Sequence, residues 1–152
     1  SLHDALPIFS EFAESFVSKA IDWARARPVL QIVSDQIGPP TYAPDIAIAL
    51  LRLARAKVES VRDLSGLLHL ASPDAMSRSD MAGAIMAESQ RQGGPFARIE
   101  PVTTASFNAP AKRPLNARLS NAKANEALGL SWTPFAAALE RSVAGVLKRT
   151  AS

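Results

Sequence analysis

Cysteine is absent from the 152 residues, and with it any disulfide framework, thiolate zinc site or cysteine nucleophile. Histidine occurs twice and tyrosine once, as Tyr42. No apolar run approaches the ~20 residues that a bilayer-crossing helix needs. No positively charged start precedes an apolar core, as it would in a secretory signal. No repeat or low-complexity tract is present. Charge of one sign is not in large excess either: 17 Lys and Arg against 14 Asp and Glu leave a net +3, with a pI of about 9.7. The cations are scattered, no helix carries a basic stripe, and aromatics are not interleaved with them. Neither nucleic acid nor a membrane is therefore the expected partner. So mild an excess suits solvated surface, or a protein that handles an anionic small molecule. The lack of cysteine fits a cytoplasmic protein.

What is present is globular in composition. Hydrophobic residues make up 47% and charged residues 20%, and the length suits one ordinary domain. The most informative stretch is Val33-Ser34-Asp35-Gln36-Ile37-Gly38-Pro39-Pro40-Thr41-Tyr42-Ala43-Pro44-Asp45. Gly38 permits a turn that a Cβ would obstruct. Pro39 and Pro40 hold the chain extended. Pro44 suits the first turn of a helix, and Asp45 puts negative charge where the helix dipole favours it. A rigid strand-to-helix turn of this kind needs no ligand to explain it.

Along the rest of the chain the apolar spacing predicts a helix over 9–27, with Phe12, Phe16, Ala20 and Trp23 on one face, ended by Pro28. A short strand over 29–33 follows. Ile46, Leu50, Leu53 and Ala54 mark the next helix; Ile48, Ala49 and Leu51 make its other side apolar, so burial on more than one side is expected. Residues 66–71 (Gly-Leu-Leu-His-Leu-Ala) read as an apolar strand. Ser77 and Asp80 look like a capping pair for a helix bearing Met81, Ala82, Ile85 and Met86, stopped by Gly93 and Gly94. Residues 99–102 suit another short strand, and a polar connector runs to Arg113-Pro114. Ser120 is the expected cap of a short helix closed by Gly129. Thr133-Pro134 opens the last helix. The three strands are far apart in sequence, and an unpaired strand leaves its backbone unsatisfied. Residues 67–71 are therefore expected to be the last strand of a larger sheet lying mostly outside these residues.

The order Asp-Gln-x-Gly-x-Pro-Thr-x-x-x-Asp at 35–45 resembles that of the dTDP-4-dehydrorhamnose reductases, which are extended short-chain dehydrogenases. Gly66-Leu67-Leu68-His69-Leu70 is similar to their Gly-x-Tyr-His-Leu strand, with Leu68 replacing the aromatic. Ser77-Arg78-Ser79-Asp80-Met81-Ala82 resembles their Ser-x-x-Glu-Phe-Ala helix start. Ala111-Lys112-Arg113-Pro114-Leu115-Asn116-Ala117-Arg118-Leu119 looks like their Ala-x-Arg-Pro-x-Asn-Ser-x-Leu element. Ser15 and Ser120 depart from the family's usual Asn and Asp.

The resemblance implies an α/β fold: the C-terminal substrate-binding part of an extended, Rossmann-type short-chain dehydrogenase, mostly helical with a few short strands. Residues 1–8 are expected to be an unmatched leader and 9–152 the substrate-binding region. The chain is expected to be a piece whose NAD(P)-binding Rossmann half is absent. It has no Gly-x-x-Gly-x-x-Gly loop and no Tyr-x-x-x-Lys pair, since Tyr42 is followed at the required position by Ile46. The family's whole enzyme takes hydride from NADPH or NADH and reduces a dTDP-4-keto sugar; a homodimer and Mg2+ are further implications for that parent. No catalytic residue is expected here. Arg113 is the leading candidate for the diphosphate, because guanidinium suits phosphate geometry. Asn116 is a candidate for a base or sugar hydroxyl, though an Asx turn would explain it equally. Gln36 and Thr41 are candidates beside the turn. His69 and Phe16 are expected to be core residues. Two rival functions stand beside this one: another sugar-nucleotide epimerase or dehydratase of the extended family, and a non-catalytic subunit like the regulatory partner of methionine adenosyltransferase.

Overall fold

Short paired strands, rather than one continuous sheet, link the helices of the computed structural model, which describes residues 8–58, 66–106 and 113–151. Strand β1 (Ile8–Phe9) runs parallel to β4 (Thr41–Tyr42). Strand β2 (Val29–Val33) runs parallel to β6 (Arg98–Val102), from Val29 opposite Arg98 to Val33 opposite Val102. Strand β3 (Ile37–Gly38) is antiparallel to β5 (Met76–Ser77). The helices are α1 (Phe16–Ala26), α2 (Ala43–Val58), α3 (Arg78–Arg91), α4 (Ala122–Leu128) and α5 (Phe135–Ala151). A 3-10 turn covers Thr104–Ser106. This is the expected mostly helical α/β arrangement.

Helix α3 is central, packing on α1, α5, β2 and β6. Its Met81, Ala82, Ile85 and Met86 are each no more than 1% exposed. Full burial of a Met or Ile side chain contributes roughly 1.5–3 kcal/mol. Its start follows the expected chemistry: Ser77 Oγ accepts from the Asp80 N–H at 3.0 Å. Just beyond its end Gly93 has φ +75°, and Gly129 closes α4 at φ +57°, a region that costs other residues a Cβ clash. Asn121, one residue after the expected Ser120, is the cap of α4.

Four expectations are corrected. The 29–33 strand is not isolated, because β6 satisfies its backbone from one side while Leu30 and Ile32 enter the core. The first helix begins at Phe16 instead of Phe9. Ser10 Oγ accepts from the Phe12 N–H at 3.2 Å, and Ser18 Oγ accepts from the Ser15 N–H at 2.9 Å. The Ser10 contact competes with helix over 10–15, and the Ser18 contact caps α1 at Ser15, so Phe9 joins β1 and Phe12 is exposed. Residues 66–71 are irregular, with no strand beside them among the described residues. Side chains serve their backbone instead: Asn121 Nδ2 donates to the Ala71 carbonyl at 2.8 Å. Finally, α2 buries only Asp45 and Ala49. It packs mainly on β4 and α4, leaving Ile48, Leu50, Leu51 and Val58 exposed.

Expectations that fall on residues 1–7 (most of the leader, with His3) and on 107–112 (part of the connector, with Ala111 and Lys112) lie outside the described residues.

Candidate functional site

The turn after β2 is fastened to the turn after β6. The Asp35 carboxylate accepts from the Thr104 N–H at 2.9 Å and from its hydroxyl at 2.6 Å. The Thr104 hydroxyl hydrogen bond, then its amide, hold the Asp35 carboxyl below its ordinary pKa. Gln36 Nε2 donates to Thr104 Oγ1 at 3.0 Å. Ile37 then binds in two directions. Its N–H donates to the Leu115 carbonyl and its carbonyl accepts from the Ala117 N–H, both at 2.8 Å, while Ser77 pairs with it on the other side. One short strand thereby gathers three distant stretches of chain.

Where they meet lies a cavity of about 270 Å3, walled by residues 36–38, 76–78 with Met81, and 113, 114 and 117. Of the four residues singled out from sequence, Gln36 and Arg113 line it; Thr41 and Asn116 do not. Thr41 is 3% exposed, and its hydroxyl donates to the Pro39 carbonyl at 3.2 Å while accepting from the Ser72 N–H at 3.1 Å. Asn116 Oδ1 accepts from the Arg118 N–H at 3.1 Å, an Asx turn on an exposed loop. His69, expected in the core, is only half-buried, and its Nδ1 donates to the Ser120 carbonyl at 3.2 Å; Phe16 is buried as expected. A larger, shallower groove of about 430 Å3 runs beside β2, and none of the candidate residues lines it.

Sequence reasoning missed Arg78, which lines the cavity at the first position of α3. The signal available was its oddity: a cation directly after a serine cap, where the helix dipole disfavours positive charge. It also missed that Asp45 binds across the fold, accepting from Thr133.

Tyr42 is not arranged as a proton donor. Its hydroxyl donates to both oxygens of Glu11 at 2.8 Å. Burial first, and then Glu11, push the phenol up to about 12.

A nicotinamide dinucleotide requires a glycine-rich loop that opens a helix beneath its diphosphate. Among the described residues the glycines with positive φ are Gly66, Gly93 and Gly129; Gly93 and Gly129 follow helices, and Gly66 sits in irregular chain. No helix among the described residues opens on such a loop. Nor do the described residues group three or more His, Asp or Glu side chains as a metal ion would need. No described helix is long and apolar enough to cross a membrane.

Solved dTDP-4-dehydrorhamnose reductases share this arrangement. The structure from Clostridium acetobutylicum has a TM-score of 0.78 at 24% identity, covering 93% of this chain and 46% of that one. The structure from Bacillus anthracis, in complex with NADP, has a TM-score of 0.73 at 22% identity, covering 94% and 46%. The described residues thus have the fold of the part of those structures that the chain covers. Residues 7–148 match the family described as RmlD substrate binding domain, and the chain belongs to that family. A dTDP-4-dehydrorhamnose reductase of Aggregatibacter actinomycetemcomitans is 32% identical over 134 residues, which are 87% of this chain and 46% of that protein. The chain spans less than half the length of the curated relatives it matches.

Proposed function

We propose that this chain is the sugar-nucleotide-facing part of a dTDP-4-dehydrorhamnose reductase. The whole enzyme would reduce the 4-keto group of dTDP-4-dehydro-L-rhamnose to give dTDP-L-rhamnose, with hydride from NADPH or NADH held by a Rossmann half outside these residues. The chain alone shapes the substrate site and does not transfer hydride. A cytoplasmic location and a homodimeric parent accompany this reading.

The observation that supports it is the meeting, at one cavity, of residues from two separate family motifs: Gln36 and Gly38 from one, Arg113 and Pro114 from the other. In it the Arg113 guanidinium contacts the diphosphate, and Gln36 fixes the turn that forms the opposite wall. Asn116 and Thr41 lie outside the cavity wall: Thr41 holds the turn's backbone and Asn116 its own loop. Calorimetric titration of the chain with thymidine diphosphate is expected to show binding. Arg113→Ala should weaken it on the order of tenfold or more, the cost of a lost charge-assisted hydrogen bond. No binding by the unaltered chain would overturn the reading. So would oxidation of NADPH by the purified chain in the presence of the 4-keto sugar nucleotide.

A further inference from the structure

The same cavity holds a second guanidinium that the resemblance does not account for. Arg78 and Arg113 both line it, and none of the described residues lining it is acidic. Arg78 Cζ lies 5.5 Å from the centroid of the Phe16 ring, within the range at which an aromatic face attracts a cation. Phe16 is itself 2% exposed and packs edge-on against Trp23, so the platform is rigid. The Arg78 N–H donates to the Gln36 carbonyl at 3.2 Å, which locks the first residue of α3 to the cavity wall. The start of a helix carries partial positive charge, so the helix dipole does not account for a cation at that position.

The volume, about 270 Å3, falls just below the ~300–1,000 Å3 of whole-ligand clefts. It suits the charged middle of a nucleotide sugar with part of one flank.

Building on the reading of the site as a sugar-nucleotide pocket, we propose that Arg78 and Arg113 form a guanidinium pair that grips the two phosphoryl groups of a nucleoside diphosphate. Arg78 is the member that distinguishes a diphosphate from a monophosphate. A monophosphate engages Arg113 alone, whereas a diphosphate reaches both planar forks. Phe16 pre-orients the Arg78 fork, so less side-chain freedom is lost when the ligand arrives.

The test is calorimetric titration of the full chain with thymidine diphosphate and thymidine monophosphate, at fixed ionic strength. The unaltered protein should prefer the diphosphate. Arg78→Ala should weaken diphosphate binding on the order of tenfold while changing monophosphate binding less than about twofold. Arg78→Lys keeps the charge but loses the fork, and should lose most of the preference with the fold intact by circular dichroism. If Arg78→Ala does not fold, the lysine variant carries the same test. An unchanged preference in Arg78→Lys, or equal weakening of both nucleotides, overturns the pair while leaving the pocket assignment standing if Arg113→Ala still weakens binding. Failure of the unaltered chain to bind either nucleotide overturns both.

Discussion

Asp45 and Thr133 are joined twice: the carboxylate accepts from the Thr133 N–H and from its hydroxyl, each at 2.8 Å. The contact ties the first turn of α2 to the chain entering α5, with Asp45 only 8% exposed. Asp45→Ala leaves both donors of Thr133 without their acceptor and is expected to cost about 2–4 kcal/mol. Asp45→Asn keeps one acceptor oxygen and should cost less. Urea denaturation at unchanged slope is the measurement, and a loss below about 0.5 kcal/mol for the alanine variant would contradict the clamp.

Asp35 makes a pH-dependent contribution. Its folded pKa lies below the ordinary 3.8 because of its bonds to Thr104. The unfolded chain then binds more protons in acid, so the contribution is present above pH 3.8 and fades as pH falls through the lower folded value. Thermal melts between neutral pH and strong acid should show this slope, and Asp35→Asn should flatten it. A carboxyl titration by NMR that places Asp35 above 3.8 would be incompatible with the bonds seen.

Tyr42 provides a clean optical probe because it is the only tyrosine. Its phenol is raised from 10 to about 12 by burial and by Glu11. Stability from this group is complete below pH 10 and is lost as pH climbs through about 12. Phenolate absorbance should therefore stay low until the protein opens in strong alkali. Gly145 sits against Glu11, and a Cβ there would come within 3.3 Å of Glu11 Cα and closer still to its Cβ. Gly145→Ala should displace Glu11 and bring the tyrosine titration down toward its ordinary value.

The open side of α2 is a solubility liability. Leu51 is 72% and Leu50 51% exposed, one turn from Ala47 and Ala54 on the same side. Leu51→Lys should change unfolding free energy by less than about 0.5 kcal/mol and reduce self-association in sedimentation velocity. A large stability loss would mean that the residue is covered in solution.

Local chemistry was the legible part. The Ser77 cap, the glycine stops at 93 and 129 and the helix start at Pro44-Asp45 each depend on residues a few positions apart and stand where the side chains predict them, whereas Gly38, expected to turn, lies in β3 paired with Met76. Pairing across the chain was not legible: β2 and β6 meet at a separation of 69 residues, and neither strand carries a signal that selects the other. Residues 66–71 were misjudged because a short apolar run fits a buried strand or irregular chain equally. The choice fell to Asn121 and Thr41, which serve the neighbouring backbone groups of Ala71 and Ser72. At the site, Gln36 and Arg113 could be named because guanidinium and a rigid turn have recognisable chemistry. Arg78 escaped notice because its significance depends on Phe16, 62 residues earlier, lying beneath it.

Ile37 lends the cavity one more property. Its amide and carbonyl bridge to Leu115 and Ala117 while its strand pairs with Ser77, so whatever sits there rests on three chain segments that share few other ties. A guest molecule would work as a cross-brace, adding about 2.7 kcal/mol to unfolding at a hundredfold excess over its dissociation constant. Deuterium uptake at the amides of Ile37, Arg78 and Ala117, which donate to Leu115, Gln36 and Ile37, would slow in concert, turning three scattered backbone positions into a single gauge of occupancy.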